Sequence, residues 1–450
     1  MLKRVLIANR GEIALRILRA CKELGVQTVC VYSEADRDAS YLRLADRAIC
    51  IGSAPAKDSY LNISRLIAAA EVTEADGIHP GYGFLAERPD FAAICREHNI
   101  EFIGPSPEAM GKLGDKVEAK RFAKAAGVPI FPGSDGAVEE EDEAVEIAAK
   151  TGYPVILKAA AGGGGRGMRI CRDEKQLREN LRQAQTEALA AFGNGAVFIE
   201  KFLENARHVE VQVLGDKHGN AVHLWERDCS LQRRHQKVLE EAPGPGISRE
   251  NASKVCEAAA RLIKSADYAG AATVEFLLDA KGDFYMLEVN TRVQVEHPVT
   301  EMITGVDIVQ ATIRIASGEP LWFKQSDIQI NGHALECRIN AEDPEKGFMP
   351  SAGRIDVWAP PGGPGVRLDT HARSGYVVPP NYDSMVGKLI IHAQTRDKCL
   401  DRASRALDEF EVGPIKTTIP LHRRLVNDEG FRKGGVDIHY LERLLKNGAG

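Results

Sequence analysis

Over residues 4–103, short apolar runs alternate with stretches of helical period. Val5–Ala8, Thr28–Tyr32, Ala48–Ile51, Gly77–His79 and Glu101–Ile103 read as strands. Glu12–Leu24, Leu61–Glu71 and Arg88–His98 read as helices between them. Alternating strand and helix predicts a parallel sheet with helices on both faces. Two further helices follow, around Pro107–Lys112 and Asp115–Ala126, and Pro132-Gly133-Ser134-Asp135-Gly136 reads as a linker. A smaller unit then runs to Phe202, with helices Glu140–Lys150 and Glu174–Ala191 and strands Val155–Ala159, Met168–Cys171 and Val197–Glu200. From Arg207 onward strands dominate, with helices at Arg249–Ala266, Val306–Ala316 and Lys398–Glu409.

At 450 residues the chain is too long for one core, so several domains are expected. Its net charge of −6 is spread along the whole length, which argues against a nucleic-acid arm or a polybasic membrane patch. The nine cysteines are scattered and form no C-x-x-C, so neither a zinc site nor a disulfide framework is signalled, and a reducing cytoplasm fits. Val5–Ala8 is too short for a secretory signal, and no run approaches a membrane span. The first strand–helix turn, Ala8-Asn9-Arg10-Gly11-Glu12, lacks G-x-G-x-x-G, which argues against a dinucleotide site.

The densest chemistry lies at Glu288–Glu301. The strand Phe284–Val289 delivers Glu288 beside Asn290, and the following loop presents Arg292, Gln294 and Glu296. Glu275 sits on the preceding run Ala272–Leu278, joined through a turn around Asp279-Ala280-Lys281-Gly282. A hairpin with an even loop puts Glu275 and Glu288 on one face; an odd loop puts them on opposite faces. Carboxylates about 5 Å apart repel by roughly 3 kcal/mol at an effective dielectric of 20, so a cation between them is the chemical reason for such a pair. Glu and Asn oxygens suit Mg²⁺ or Mn²⁺. A solvated charged edge is the competing reading.

Gly162-Gly163-Gly164-Gly165-Arg166-Gly167 falls between two strand-like runs. Such a run offers close backbone approach and convergent N–H groups, which suits a flap over phosphates. Lys158 precedes it and Lys116 opens a helix; lysines balance phosphate charge. The stretch Glu226–Glu241 lacks apolar periodicity over Glu226–Lys237 and is dense in Arg, His, Gln and Lys, as an anion-handling loop or a solvated turn would be. Arg338 ends a further strand-like run.

Together these segments resemble the biotin carboxylase family of the ATP-grasp superfamily, over essentially the whole chain. The resemblance rests on Ile7–Ala14, His79–Leu85, the Gly162–Met168 loop, Glu226–Lys237, Asn290–Glu301, Glu336–Glu342 and Tyr382-Asp383-Ser384-Met385, in that order. It implies an α/β and α+β architecture in several parts. These are an N-terminal Rossmann-like parallel domain over residues 1–114, a helical linker over 115–130, and an ATP-grasp lid with the glycine flap over 131–203. A catalytic part over 204–450 follows, including a C-terminal mixed α+β region at about 331–446.

The resemblance also implies a reaction: ATP and bicarbonate form carboxyphosphate, which carboxylates N1′ of biotin. Glu275, Glu288 and Asn290 would then hold one or two Mg²⁺ or Mn²⁺ ions. Lys116, Lys158 and His208 would meet the phosphates beneath Gly163, Gly164 and Gly165. Glu200, Lys201 and Leu203 would read adenine, mostly through backbone groups, with Gln232 and His235 on the ribose. Lys237, Arg292, Gln294 and the Val295 amide would hold bicarbonate, Glu296 would take its proton, and Arg338 would stabilise the biotin enolate. No Ala-Met-Lys-Met biotinylation sequence occurs, and the chain ends at Gly450. Biotin is therefore expected on a separate carrier protein, with carboxyltransferase subunits, a homodimeric enzyme and a cytoplasmic setting. The first half-reaction of acetyl-CoA carboxylase is the leading expectation. The same step in a pyruvate or propionyl-CoA carboxylase, or a different ATP-grasp ligase, are the alternatives.

Overall fold

The computed structural model describes residues 1–159, 168–193 and 195–447, with the backbone alone at residues 116, 117, 192 and 447. The first sheet contains Arg4–Ile7 (β1), Gln27–Ser33 (β2), Arg47–Gly52 (β3), Gly77–His79 (β4) and Glu101–Phe102 (β5). Their order is β3-β2-β1-β4-β5, and every pairing is parallel, as the alternating pattern predicts. Val5, Leu6 and Ile7 are fully buried because helices cover both faces of the sheet.

Strand order reverses between β1 and β4, so the loops leaving these two strands meet at a topological switch point. Asn9 joins them: its Nδ2 donates to the carbonyls of Pro80 and Tyr82, each at 2.7 Å. Gly81 has φ +63°, and a Cβ there would lie 3.0 Å from Asn9 Nδ2 and 3.1 Å from Ile13 Cγ1. Both the turn and the close approach therefore require glycine.

A second, antiparallel sheet has the order β7-β6-β8, from Val155–Ala159 (β6), Arg169–Cys171 (β7) and Val197–Lys201 (β8). Helices Glu141–Thr151 and Glu174–Phe192 complete its own core with Leu157, Leu177, Leu181 and Ile199. The glycine run expected to form a flap, with Gly163, Gly164 and Gly165, lies outside the described residues.

The third sheet is antiparallel and eight-stranded. Its strands are Arg207–Gly215 (β9), Ala221–Arg233 (β10), Gln236–Ala242 (β11), Gly270–Leu278 (β12), Phe284–Asn290 (β13), His333–Asn340 (β14), Met385–Ala393 and Val366–Thr370. In space the order runs β13-β12-β9-β10-β11-β14, then Met385–Ala393, then Val366–Thr370. The C-terminal strands thus extend the sheet that carries Glu275. In β9, Val209, Val211 and Val213 pack on the helix Arg249–Ser265 through Val255, Ala259 and Leu262. The alternate residues His208, Glu210 and Gln212 are buried on the other face. At the far end, Leu335, Cys337, Leu389 and Ile391 share a core with helices Arg396–Glu409 and Ile419–Asn427. Among the described residues, no helix is long and apolar enough to cross a membrane.

Candidate active site

Four ionisable side chains stand in one row across four strands. Glu288 on β13 faces Glu275 on β12, Glu275 faces Glu210 on β9, and Glu210 faces Arg227 on β10. The connection from Asp279 to Asp283 has five residues, an odd loop that by itself would separate Glu275 from Glu288. A register shift between Glu275 and Phe276 corrects this: Phe276 pairs with Met286, and Glu275 with Glu288. A β-bulge, not the turn, makes the two carboxylates partners. A neighbouring row holds Asn290, Thr273 and Gln212.

Arg227 is fully buried and uses all five guanidinium N–H groups. Nε donates to Glu210 at 2.6 Å; Nη1 donates to Gln212 at 2.8 Å and Thr300 at 3.0 Å; Nη2 donates to Thr273 at 3.2 Å and Gln294 at 3.1 Å. It welds the sheet to the loop and helix that follow Arg292.

Lys237 on β11 is the hub of the site. Its Nζ contacts Glu210 at 2.5 Å, Glu275 at 2.9 Å and Glu296 at 2.6 Å. Burial works against this charge, but Glu210, Glu275 and Glu296 prevail and hold its pKa well above the ordinary value. Glu296 occupies the N-cap position of the helix His297–Thr304 without a side-chain cap bond, at the end where the helix dipole favours an anion. Its second oxygen accepts from Arg338 Nη2 at 2.9 Å, while Arg338 Nε donates to Glu240 at 2.6 Å. Burial would raise the Glu296 pKa, but Lys237, Arg338 and Arg227 keep it below the ordinary range.

Glu275 is held in the same way. Its Oε1 accepts from Asn290 at 2.9 Å, Gln294 at 2.8 Å and Lys237, and its Oε2 lies 3.1 Å from His208 Nε2. Burial opposes ionisation here too, yet Lys237 and His208 keep the Glu275 pKa well below the ordinary value. Burial lowers the His208 pKa, but Glu275, ahead of Glu210, raises it overall.

Ligand atoms of His208, Glu210 and Glu275 lie within 4.8 Å of one another. The in-register Glu275–Glu288 pair supplies hard oxygen donors that fit a divalent cation. Asn290 turns its Nδ2 toward Glu275 and its Oδ1 toward Arg292 Nη2 at 3.1 Å. In this arrangement it spaces the carboxylate and the arginine.

Arg292 is brought beside Asn290 and, through Nε, onto Glu87 of the first unit at 3.0 Å. It does not meet Glu296 directly. Gln294 is buried between Glu275 and Arg227, and Val295 forms the next turn.

A second cluster lies on the lid. Glu200 is buried between the ammonium groups of Lys158 and Lys120. Burial would raise its pKa, but Lys158 and Lys120 hold it below the ordinary value. Lys201 turns its ammonium onto the carbonyls of Gly152 and Tyr153, and its N–H donates to Pro132. Leu203 follows β8, half-buried. Lys116 opens the helix Lys116–Ala125, and its side chain lies outside the description. Gln232 is buried near the end of β10 and pairs with Lys237 across the hairpin. His235 stands exposed in the two-residue turn with Arg234, both at positive φ, and is not part of the carboxylate cluster.

Sequence reasoning missed Glu210, Arg227 and Lys120. A signal for the first was present: within β9, His208 to Val213 reads His-Val-Glu-Val-Gln-Val, a strict polar–apolar alternation. Lys120 lies four residues beyond Lys116, one helical turn away.

Family models place this geometry. Residues 1–110 match the N-terminal domain of biotin carboxylase, and residues 336–443 match its C-terminal domain. Residues 115–324 match the ATP-binding domain of the carbamoyl-phosphate synthase L chain. A biotin carboxylase of Pseudomonas aeruginosa is 59% identical over 446 residues, 99% of each chain. The chain belongs to the biotin carboxylase family. Among solved structures, the biotin carboxylase β-γ-ATP complex from Campylobacter jejuni is 51% identical with a TM-score of 0.93, covering 98% of this chain and 99% of the other. The biotin carboxylase domain dimer of Hydrogenobacter thermophilus 2-oxoglutarate carboxylase, with MgADP and bicarbonate, is 50% identical with a TM-score of 0.91, covering 98% of each chain.

Proposed function

We propose that this biotin carboxylase carries out the first half-reaction of an acetyl-CoA carboxylase, with biotin presented by a separate carrier protein. It is a ligase that uses ATP and bicarbonate to carboxylate biotin. The observation that carries the residue assignment is Glu296, a buried carboxylate held by Lys237 on one oxygen and Arg338 on the other.

Lys158, Lys116 and His208 meet the ATP phosphates, with Glu200, Lys201 and Leu203 at the adenine and Gln232 and His235 at the ribose. The phosphate-side role expected of Gly163, Gly164 and Gly165 falls on residues outside those described. Glu275 and Glu288, with Asn290 beside them, would hold Mg²⁺ or Mn²⁺, which would supply positive charge to neutralise the phosphates. Bicarbonate lies among Lys237, Arg292, Gln294 and the Val295 N–H.

Lys237 already serves three carboxylates, so an incoming anion competes with Glu296 for it. That competition relaxes the hold that depresses the Glu296 pKa, and the carboxylate becomes a usable base. Glu296 takes the bicarbonate proton, the bicarbonate oxygen bonds to the γ-phosphorus, and ADP leaves. Carboxyphosphate breaks into CO₂ and phosphate; the phosphate takes the N1′ proton, and N1′ bonds to CO₂. Arg338 donates to the enolate oxygen of the ureido ring.

Cytoplasmic location, a homodimer, the carrier protein and carboxyltransferase subunits complete the reading. The reading divides the chain into residues 1–114, 115–130, 131–203 and 204–450. A second reading keeps the half-reaction and changes the final acceptor to pyruvate or propionyl-CoA. A 50% identity to the biotin carboxylase subunit of a pyruvate carboxylase supports this second reading. ADP release with Mg-ATP and bicarbonate, with and without free biotin, tests the half-reaction. Stimulation by biotin that needs bicarbonate is expected. Bicarbonate-dependent turnover indifferent to biotin would overturn it. Co-purification of the carrier and carboxyltransferase partners decides the acceptor.

A further inference from the structure

Lys388 is fully buried on the strand Met385–Ala393, directly across from Arg338 on β14. Its Nζ donates to the Val295 carbonyl at 2.7 Å and lies 3.2 Å from Glu12 Oε1. Glu12 sits on the helix Gly11–Glu23 of the first unit and also accepts from the Tyr82 hydroxyl. One ammonium therefore joins the loop that ends in Glu296 to the parallel-sheet unit. Burying an ammonium is costly without a counter-charge, and Glu12 supplies one.

The planarity of the peptide bond gives this contact its meaning. The Val295 carbonyl shares a plane with the Glu296 N–H, so anchoring that oxygen orients the backbone from which the Glu296 side chain departs. The preceding plane contains the Gln294 carbonyl and the Val295 N–H. There the Gln294 oxygen accepts from His297 Nδ1 at 2.7 Å, which turns the Val295 N–H to the opposite side. Two consecutive peptides are thus fixed by buried side chains, and of the two only Lys388 reaches across to another structural unit.

We propose that Lys388 is a positioning residue: it sets the Val295–Glu296 peptide so that the Glu296 carboxylate is aimed at bicarbonate beside the Val295 N–H that His297 orients, and through Glu12 it makes that geometry depend on the docked first unit. The proposal rests on the bicarbonate reading given above. It also accounts for Glu12, Tyr82 and the strand after Tyr382-Asp383-Ser384, which the assigned chemistry leaves without a part.

The test compares steady-state kinetics of K388M with K237Q in the full chain. K388M is expected to raise the bicarbonate KM by about tenfold, the size of effect of losing one buried charged donor, while the ATP KM moves by less than about twofold. K388R, which keeps a charged donor, is expected to recover part of the loss. A raised bicarbonate KM in both K388M and K237Q supports the proposal. A rise in K237Q alone overturns the role of Lys388 and leaves the bicarbonate reading standing. No rise in either overturns the bicarbonate reading beneath it. Equal losses for ATP and bicarbonate in K388M mark Lys388 as merely structural and overturn the proposal. Should K388M fail to fold, E12Q carries the test by keeping the lysine and removing its counter-charge. A bicarbonate KM raised by about two- to fivefold, with the ATP KM steady, supports the proposal; no change, or equal change in both, overturns it.

Discussion

Glu296 and Arg338 meet at 2.9 Å, and the other oxygen of Glu296 is held by Lys237 at 2.6 Å. The proposed base and the proposed enolate-stabilising cation are thus an ion pair before any substrate enters. Each substrate must loosen it: bicarbonate by drawing off Lys237, the biotin ureido oxygen by drawing off Arg338. Replacing Glu296 with Gln keeps the shape and removes the base. We expect biotin-dependent kcat to fall about 10²- to 10⁴-fold, the usual worth of a general base, with ATP affinity little changed. Turnover within about threefold of the unmodified protein would remove Glu296 from the proton-transfer step.

Glu288 faces Glu275 across the bulged hairpin, and the metal assignment depends on that pairing. E288A leaves Glu275 as the single carboxylate of that hairpin pair. Metal-dependent ATP turnover is expected to fall at least about 100-fold, as a lost ligand at a transition-state cation would dictate. A Mg²⁺ titration of activity is the measurement. An unchanged metal dependence with full activity would move the cation site toward His208, Glu210 and Glu275.

The parallel domain was legible because its buried strands and helices alternate over residues 4–103. Strand–strand pairing around the site was legible only in outline. The parity of the Asp279–Asp283 loop, taken alone, puts Glu275 and Glu288 on different faces, and the shift between Glu275 and Phe276 restores them. A bulge leaves no reliable mark in one sequence. Glu210 and Gln212 were hidden for another reason. Their alternation in β9 is what a strand with one wet face would show, and only packing reveals that this face is buried. Lys388 and Arg227 likewise look like ordinary surface cations until the other units cover them. His235 stands apart from the buried carboxylates, because the hairpin carries it out to an exposed turn.

Arg227 satisfies five acceptors on strands β9 and β12, the Gln294 loop and the following helix. Removing one partner of a buried network leaves the others unpaired, Glu210 above all. R227M is expected to lose about 3–5 kcal/mol, read as a shift of the urea midpoint of the segment carrying the large sheet. R227K should recover little, since an ammonium cannot present five donors in a plane. A change below about 0.5 kcal/mol in R227M would mean that the network contributes orientation and no net stability.

Glu240 supplies a pH signature. Burial, with the nearby charge of Glu296, lifts its pKa from the ordinary 4.5 to about 7, against the pull of Arg338 and Lys237. The folded state therefore binds a proton that the unfolded chain has already lost between those values. A raised folded pKa makes its contribution fully present below 4.5 and progressively lost as pH rises through about 7. The unmodified protein should then lose on the order of 2 kcal/mol more stability than E240Q between about pH 5 and about pH 8. E240Q imitates the neutral acid, and its amide oxygen can still accept from Arg338 Nε. Urea midpoints measured at both pH values decide the matter: parallel behaviour of the two proteins would show that Glu240 is ionised in the fold throughout and that Arg338 outweighs its burial.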